Sequence, residues 1–152
     1  MNAPDGSGAA PGRAREAERF LALSVALTGF DATELAATGM AETYRAIVLQ
    51  RLGSPSYRKL VDALADVSAD LQAVLDEDAG LRDLARPVCH LWYLGVWPGP
   101  PGQADRPAPG IAARAYAQGL VWRSFGGHAP GVGRPGHGSW AQPPAAVAGG
   151  RR

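Results

Sequence analysis

The residue types that most often carry chemistry are sparse in this 152-residue sequence, and their spacing does not bring them together. Its soft or titratable metal ligands are His90, His128, His137 and the lone cysteine, Cys89. A zinc site needs three or four such ligands converging, typically as two close pairs. Cys89 and His90 are neighbours, and on a helix neighbours project about 100° apart. They do not chelate one ion together, and His128 and His137 fall in Gly/Pro-rich sequence. His90, among apolar residues, reads as a hydrogen-bonded core or interface side chain. Ser24 and Ser139 lack a Gly-x-Ser-x-Gly elbow, and no adjacent cation lowers the pKa of Cys89. Asp62, Asp66 and Asp70 recur every four residues, but a carboxylate pair for acid–base work needs one member desolvated. With Leu60, Val61 and Leu64 on the opposite side, these acids read as a solvated face. The glycines of Gly131-Val-Gly133 and Gly136-His-Gly138 follow no strand pattern and open no helix, so they make no phosphate loop. The residues thus assign no catalytic, metal or cofactor-binding group.

What does cluster is aromatic. All four tryptophans, Trp92, Trp97, Trp122 and Trp140, lie in the stretch densest in glycine and proline. An indole that fills a partner's pocket buries a large apolar body and finds an acceptor for its N–H. Trp97, Trp122 and Trp140 are therefore the expected contact anchors, with Trp92 and Tyr93 either core or contact. The bland alternative is that these rings tie the chain's own tail to its helices.

Composition divides the chain in two. Of 20 glycines and 13 prolines, residues 98–152 hold twelve and nine. Residues 1–97 carry nine bases against thirteen acids, and residues 98–152 six arginines against Asp105 alone. With one lysine among fourteen arginines, the arginine excess reflects the same bias that enriches Ala, Gly and Pro. It does not mark nucleic-acid binding, which concentrates charge on one element. One cysteine excludes an internal disulfide. The longest apolar run, Phe20 to Leu27, is far short of the roughly 20 residues that span a bilayer.

The elements that must position the aromatics are helical. Residues 1–12 are too polar and Gly/Pro-rich to order themselves, and a helix is expected from Arg13 to Thr28-Gly29. Asp31-Ala-Thr-Glu34 has capping-box spacing, and Phe30 with Leu35 forms the staple pair. Leu35, Met40, Tyr44, Ile47, Val48 and Leu52 then share a helix face. Gly53 stops it, with Ser54 as cap and Pro55 opening the next helix. Ser68 is the expected cap of a short helix bearing Leu71, Val74 and Leu75. The acids 76–78 suit either the start of the following helix or a solvated turn. Pro87 predicts a kink or break in the helix carrying Leu81, Leu84, Val88, Leu91 and Trp92. The organisation expected is all-α, about five to six helices: a helical domain over 13–97, a Pro/Gly linker over 98–110, a terminal helix over 111–126 and an extended partner-binding tail over 127–152.

Five blocks carry a resemblance. They are Phe20-Leu-Ala-Leu-Ser-Val-Ala-Leu-Thr-Gly-Phe30, Leu91-Trp-Tyr-Leu-Gly-Val-Trp97, Tyr116-Ala-Gln-Gly-Leu-Val-Trp122, His128-Ala-Pro-Gly131 and Gly138-Ser-Trp-Ala-Gln-Pro-Pro144. In this order they resemble the small subunits of membrane-associated, FAD-containing sugar and polyol dehydrogenases, the D-sorbitol dehydrogenase family. The resemblance implies a non-catalytic subunit that stabilises a large partner and assists its maturation, with His128 among the partner-facing residues. FAD and the catalytic histidine then belong to a large glucose-methanol-choline-type subunit, and a cytochrome c subunit can carry electrons onward. Family members commonly have a twin-arginine leader, whereas here no Arg-Arg precedes Phe20, and Glu16 and Glu18 interrupt Arg13, Arg15 and Arg19. No export signal is read, so both a periplasmic and a cytoplasmic site stay open. The rival expectations are a chaperone that leaves its folded client and a stand-alone oxidoreductase.

Overall fold

The computed structural model describes residues 9–65, 70–98, 106–107 and 112–131. Among them are eight helices and one two-residue ladder, so the fold is all-α. Helix α1, Ala9–Thr28, starts inside the stretch expected to lack order. Pro11 is compatible with this because the first turn's N–H groups have no intrahelical acceptor anyway.

The α1 stripe that faces inward is not purely apolar. Phe20 and Leu23 are buried, and so are Ser24 and Thr28. Each hydroxyl donates to the carbonyl four residues back, Ser24 Oγ to Phe20 O at 2.8 Å and Thr28 Oγ1 to Ser24 O at 2.7 Å. Gly29 then closes the helix at φ 76°, its N–H reaching Val25 O.

Asp31 caps α2, Ala32–Ala37, through a complete box. The Glu34 N–H donates to Asp31 Oδ1 at 2.8 Å, and the Asp31 N–H donates to Glu34 Oε2 at 3.1 Å. The single helix expected over 31–52 is two, because Thr38 and Gly39 (φ 65°) turn the chain before α3, Ala41–Leu52. Leu35, Met40, Tyr44 and Val48 still share the core. Gly53, not Ser54, is the cap between α3 and α4, Ser54–Leu64. At φ 76° it donates to Leu49 O and accepts from the Tyr57 N–H, so one residue ends a helix and starts another.

Two further expectations shift. Asp70, rather than Ser68, caps α5, Leu71–Glu77, accepting from the Gln72 and Ala73 N–H groups; Ser68 lies outside the described residues. Asp78 caps α6, Ala79–Leu94, at 2.8 Å from Leu81 N, and pairs with Lys59 at 3.1 Å. Those contacts hold its carboxyl below the usual carboxylate range. Helix α6 continues through Pro87 rather than breaking. The surrounding side chains fix it: Leu81, Ala85, Val88, Leu91 and Trp92 are all buried.

At the end of α6, Gly95 turns left-handed at φ 72° into β1, Val96–Trp97, which pairs antiparallel with β2, Arg106–Pro107. The expected linker therefore folds back onto the domain at that point. The terminal helix is also two pieces, α7, Ala112–Gln118, and α8, Leu120–Ser124, separated at Gly119 (ψ 131°). With these two interruptions, at Gly39 and Gly119, the described residues hold eight helices where about five to six were expected. No helix among the described residues is long and apolar enough to cross a membrane.

Tyr44 meets Trp92 edge-on at 4.8 Å, yet its hydroxyl has no hydrogen-bond partner among the described residues. Burial pushes the phenol up from 10.0 to about 12. Tyr44→Phe keeps the ring contact and removes the orphaned hydroxyl, so it is expected to stabilise the fold by about 1 kcal/mol at neutral pH. The folded state holds a proton that the unfolded chain releases above its lower pKa, so stability falls as pH rises through this range. The variant should lose less there. Urea unfolding at neutral pH and in strong alkali checks both outcomes.

Candidate functional site

The six proposed partner-binding residues do not share one environment. Trp92 is fully buried and is core: its Nε1–H donates to Ser24 Oγ at 3.0 Å, and its ring packs on Tyr44. The choice left open for it is thus resolved against contact, because both its apolar body and its polar tip are consumed inside. Tyr93 is half-buried and also structural. Its hydroxyl donates to Thr28 O at 2.9 Å, and its ring meets Phe30 edge-on at 6.2 Å. Trp97 is half-buried against the core within β1. Trp140 lies outside the described residues.

Trp122 and His128 sit together at the far end of α6. Trp122 is half-exposed, and its Nε1–H donates to Tyr116 O at 2.7 Å across the Gly119 break. Tyr116 and Phe125 flank the indole edge-on, with ring centroids 5.3 and 5.9 Å away. Tyr116 is 39% exposed and Phe125 58%, with Leu94 of α6 at 42%. Among the described residues these are the large apolar side chains left in solvent, and a reading centred on tryptophan does not find Tyr116, Phe125 or Leu94. The spacing Tyr116, Trp122, Phe125 was the available signal. It is hidden by Gly119, which shifts the helical register between the first ring and the other two.

The platform under these rings is tightly built. At Gly95 a Cβ would come within 2.5 Å of the Ala115 backbone carbon, and at Gly119 within 2.7 Å of Tyr93 O. Backbone therefore rests directly on backbone where α7 and α8 cross the end of α6. Ala115 and Leu120 are completely buried. Arg114 Nη2 donates to Gly39 O at 3.2 Å, joining α7 to the turn between α2 and α3.

Among the described residues the remaining chemistry-bearing groups are engaged in structure, while Asp66, His137 and Ser139 lie outside those residues. His90 Nδ1 lies 3.2 Å from Val96 O. The Cys89 thiol points elsewhere, donating to Leu27 O at 3.6 Å, and burial pushes its pKa up. Asp62 pairs with Arg19 at 2.6 Å, bridging α1 and α4. No three His, Cys, Asp or Glu side chains among the described residues converge as a metal set. Between α1 and α3 an apolar groove of about 220 Å³ runs along Ala17, Phe20, Leu21 and Ala41. A second cleft, of about 300 Å³, opens beside Trp122 and His128.

Gly119→Ala sets a methyl against the Tyr93 carbonyl, a backbone atom that cannot swing away. It is expected to displace α7 and α8 and cost about 1–3 kcal/mol, altering near-UV circular dichroism while leaving helical content almost unchanged. An unaltered aromatic signal would mean that the rings are not seated as described. Compared with family models, curated proteins and solved structures, the chain matches none.

Proposed function

We propose that this chain is a non-catalytic small subunit of an FAD-dependent sugar or polyol dehydrogenase, stabilising the large flavoprotein subunit and assisting its maturation. The observation that carries the reading is the exposed aromatic face of Tyr116, Trp122 and Phe125. Apolar rings held in solvent on a rigid platform are what a docking site needs, because a partner can bury them without first ordering them. The sequence blocks that resemble the sorbitol dehydrogenase small subunits supply the identity of the partner. One of those blocks, 116–122, contributes Tyr116 and Trp122 to this face.

The flavin is assigned to the large subunit. That assignment comes from the resemblance, in which the small subunit carries no flavin. The part played by this chain is then to cover apolar surface on the flavoprotein and keep it folded, and a cytochrome c subunit can receive the electrons.

Co-expression with a large flavoprotein subunit of this dehydrogenase type is expected to give a stoichiometric complex with bound flavin. The double variant Trp122→Ala/Phe125→Ser should weaken the complex by about 2 kcal/mol or more without unfolding the isolated chain. A monodisperse monomer indifferent to the large subunit would overturn the reading, as would polyol-dependent dye reduction by this chain alone.

A further inference from the structure

The stretch of sequence that carries the aromatic face is electrically one-sided. Between residues 84 and 131 the sequence carries Arg86, Arg106, Arg114 and Arg123 against Asp105 alone, while residues 1–83 hold the thirteen other acids. Four cations of the helical body meet carboxylates, Arg19 with Asp62, Arg45 with Glu42, Lys59 with Asp78 and Arg82 with Asp76, whereas Arg51 and Arg58 do not. Arg123 also has no carboxylate within 4.0 Å among the described residues, and it is exposed and lines the cleft beside Trp122. Gln118 and His128 complete the polar part of the lining.

Trp122 supplies the other half of the chemistry. Its N–H is already committed to Tyr116 O, so the indole offers the cleft an apolar wall and no donor. A purely apolar ligand would cover the Arg123 guanidinium without neutralising it, and desolvating an uncompensated charge is costly. A cationic ligand would be repelled. The ligand that satisfies both walls carries a carboxylate next to an apolar group, since a guanidinium–carboxylate contact is a strong, charge-assisted one.

We infer that the cleft beside Trp122 receives an acidic side chain from a partner protein, with Arg123 as its counter-charge and the indole as its apolar wall. This rests on the reading of the face as a partner surface. It adds what the partner must present there: an aspartate or glutamate beside an apolar residue.

The test uses the full chain and two labelled polymers of equal length, a glutamate–tyrosine copolymer and a lysine–tyrosine copolymer, with binding read by fluorescence anisotropy. Saturable binding of the acidic polymer alone is expected, weakening as salt is raised. Arg123→Gln should reduce that affinity about tenfold. Arg51→Gln, an exposed site on α3, should leave it unchanged, with both variants matching the parent in far-UV circular dichroism. No saturable binding, equal binding of the basic polymer, or equal losses in the two variants overturns the inference. Salt-sensitive self-association abolished by Arg123→Gln also overturns it, since the acidic half of a second copy would then fill the cleft. The flavoprotein takes no part in this experiment, so its failure stays distinct from failure of the co-expressed complex.

Discussion

An indole cannot be fully enclosed unless its N–H finds an acceptor, and Trp92 meets that demand in only one way. Its nitrogen donates to Ser24 Oγ on α1, while its ring receives the edge of Tyr44 on α3. Three helices are thereby fixed around one side chain at distances that leave little room for sliding. The Ser24 hydroxyl is itself anchored to Phe20 O, so it can accept while still donating. The polar pair is buried without an orphaned group, and the apolar residues around it, Leu23, Val48, Val88 and Leu91, pack to zero exposure. Long-range order in the helical body follows from this contact more than from its ion pairs, which lie at the surface and are worth little individually.

From that body the chain reaches its aromatic face by close backbone contact. Gly95 lets α6 end against Ala115, and Gly119 lets the α7–α8 elbow rest on the Tyr93 carbonyl. Tyr93 is in turn held by Thr28 O at the end of α1. A continuous line of packed groups therefore runs from the α1 terminus through α6 to the rings of Tyr116, Trp122 and Phe125. The face is a product of the core, although none of its exposed rings belongs to the core.

The sequence reading and the structure agree where the signal is local. Asp31 and Glu34 announce their helix through a reciprocal hydrogen-bond pattern that needs nothing from the rest of the fold. Gly29 and Gly53 end helices for the same reason, since only their own backbone angles matter. Disagreement arises where tertiary contacts override local preference. Pro87 forfeits one helical hydrogen bond, but the buried residues on either side hold α6 together across it. Gly39 and Gly119 look tolerable inside a helical pattern, yet each sits where another element approaches: Arg114 at the first and Tyr93 at the second. The candidate site was legible only in part for a related reason. Tryptophan counts mark where aromatic mass lies and not which way it faces, so Trp92 reads like Trp122 until its acceptor on α1 is known. Phe125 stands out only once the elbow has brought Tyr116, Trp122 and Phe125 together.

The contact of Gly95 with Ala115 has a thermodynamic corollary. Because the outer helices lie on the last turn of α6 with no side chain between, they lack the slack that would allow either layer to loosen independently. Any molecule that grips the rings only in their assembled arrangement must, by mass action, raise the melting point of the entire helical body. Conversely, damage deep inside the bundle would be felt at the periphery as lost affinity, so a client sampling that exterior would discriminate well-folded copies from defective ones.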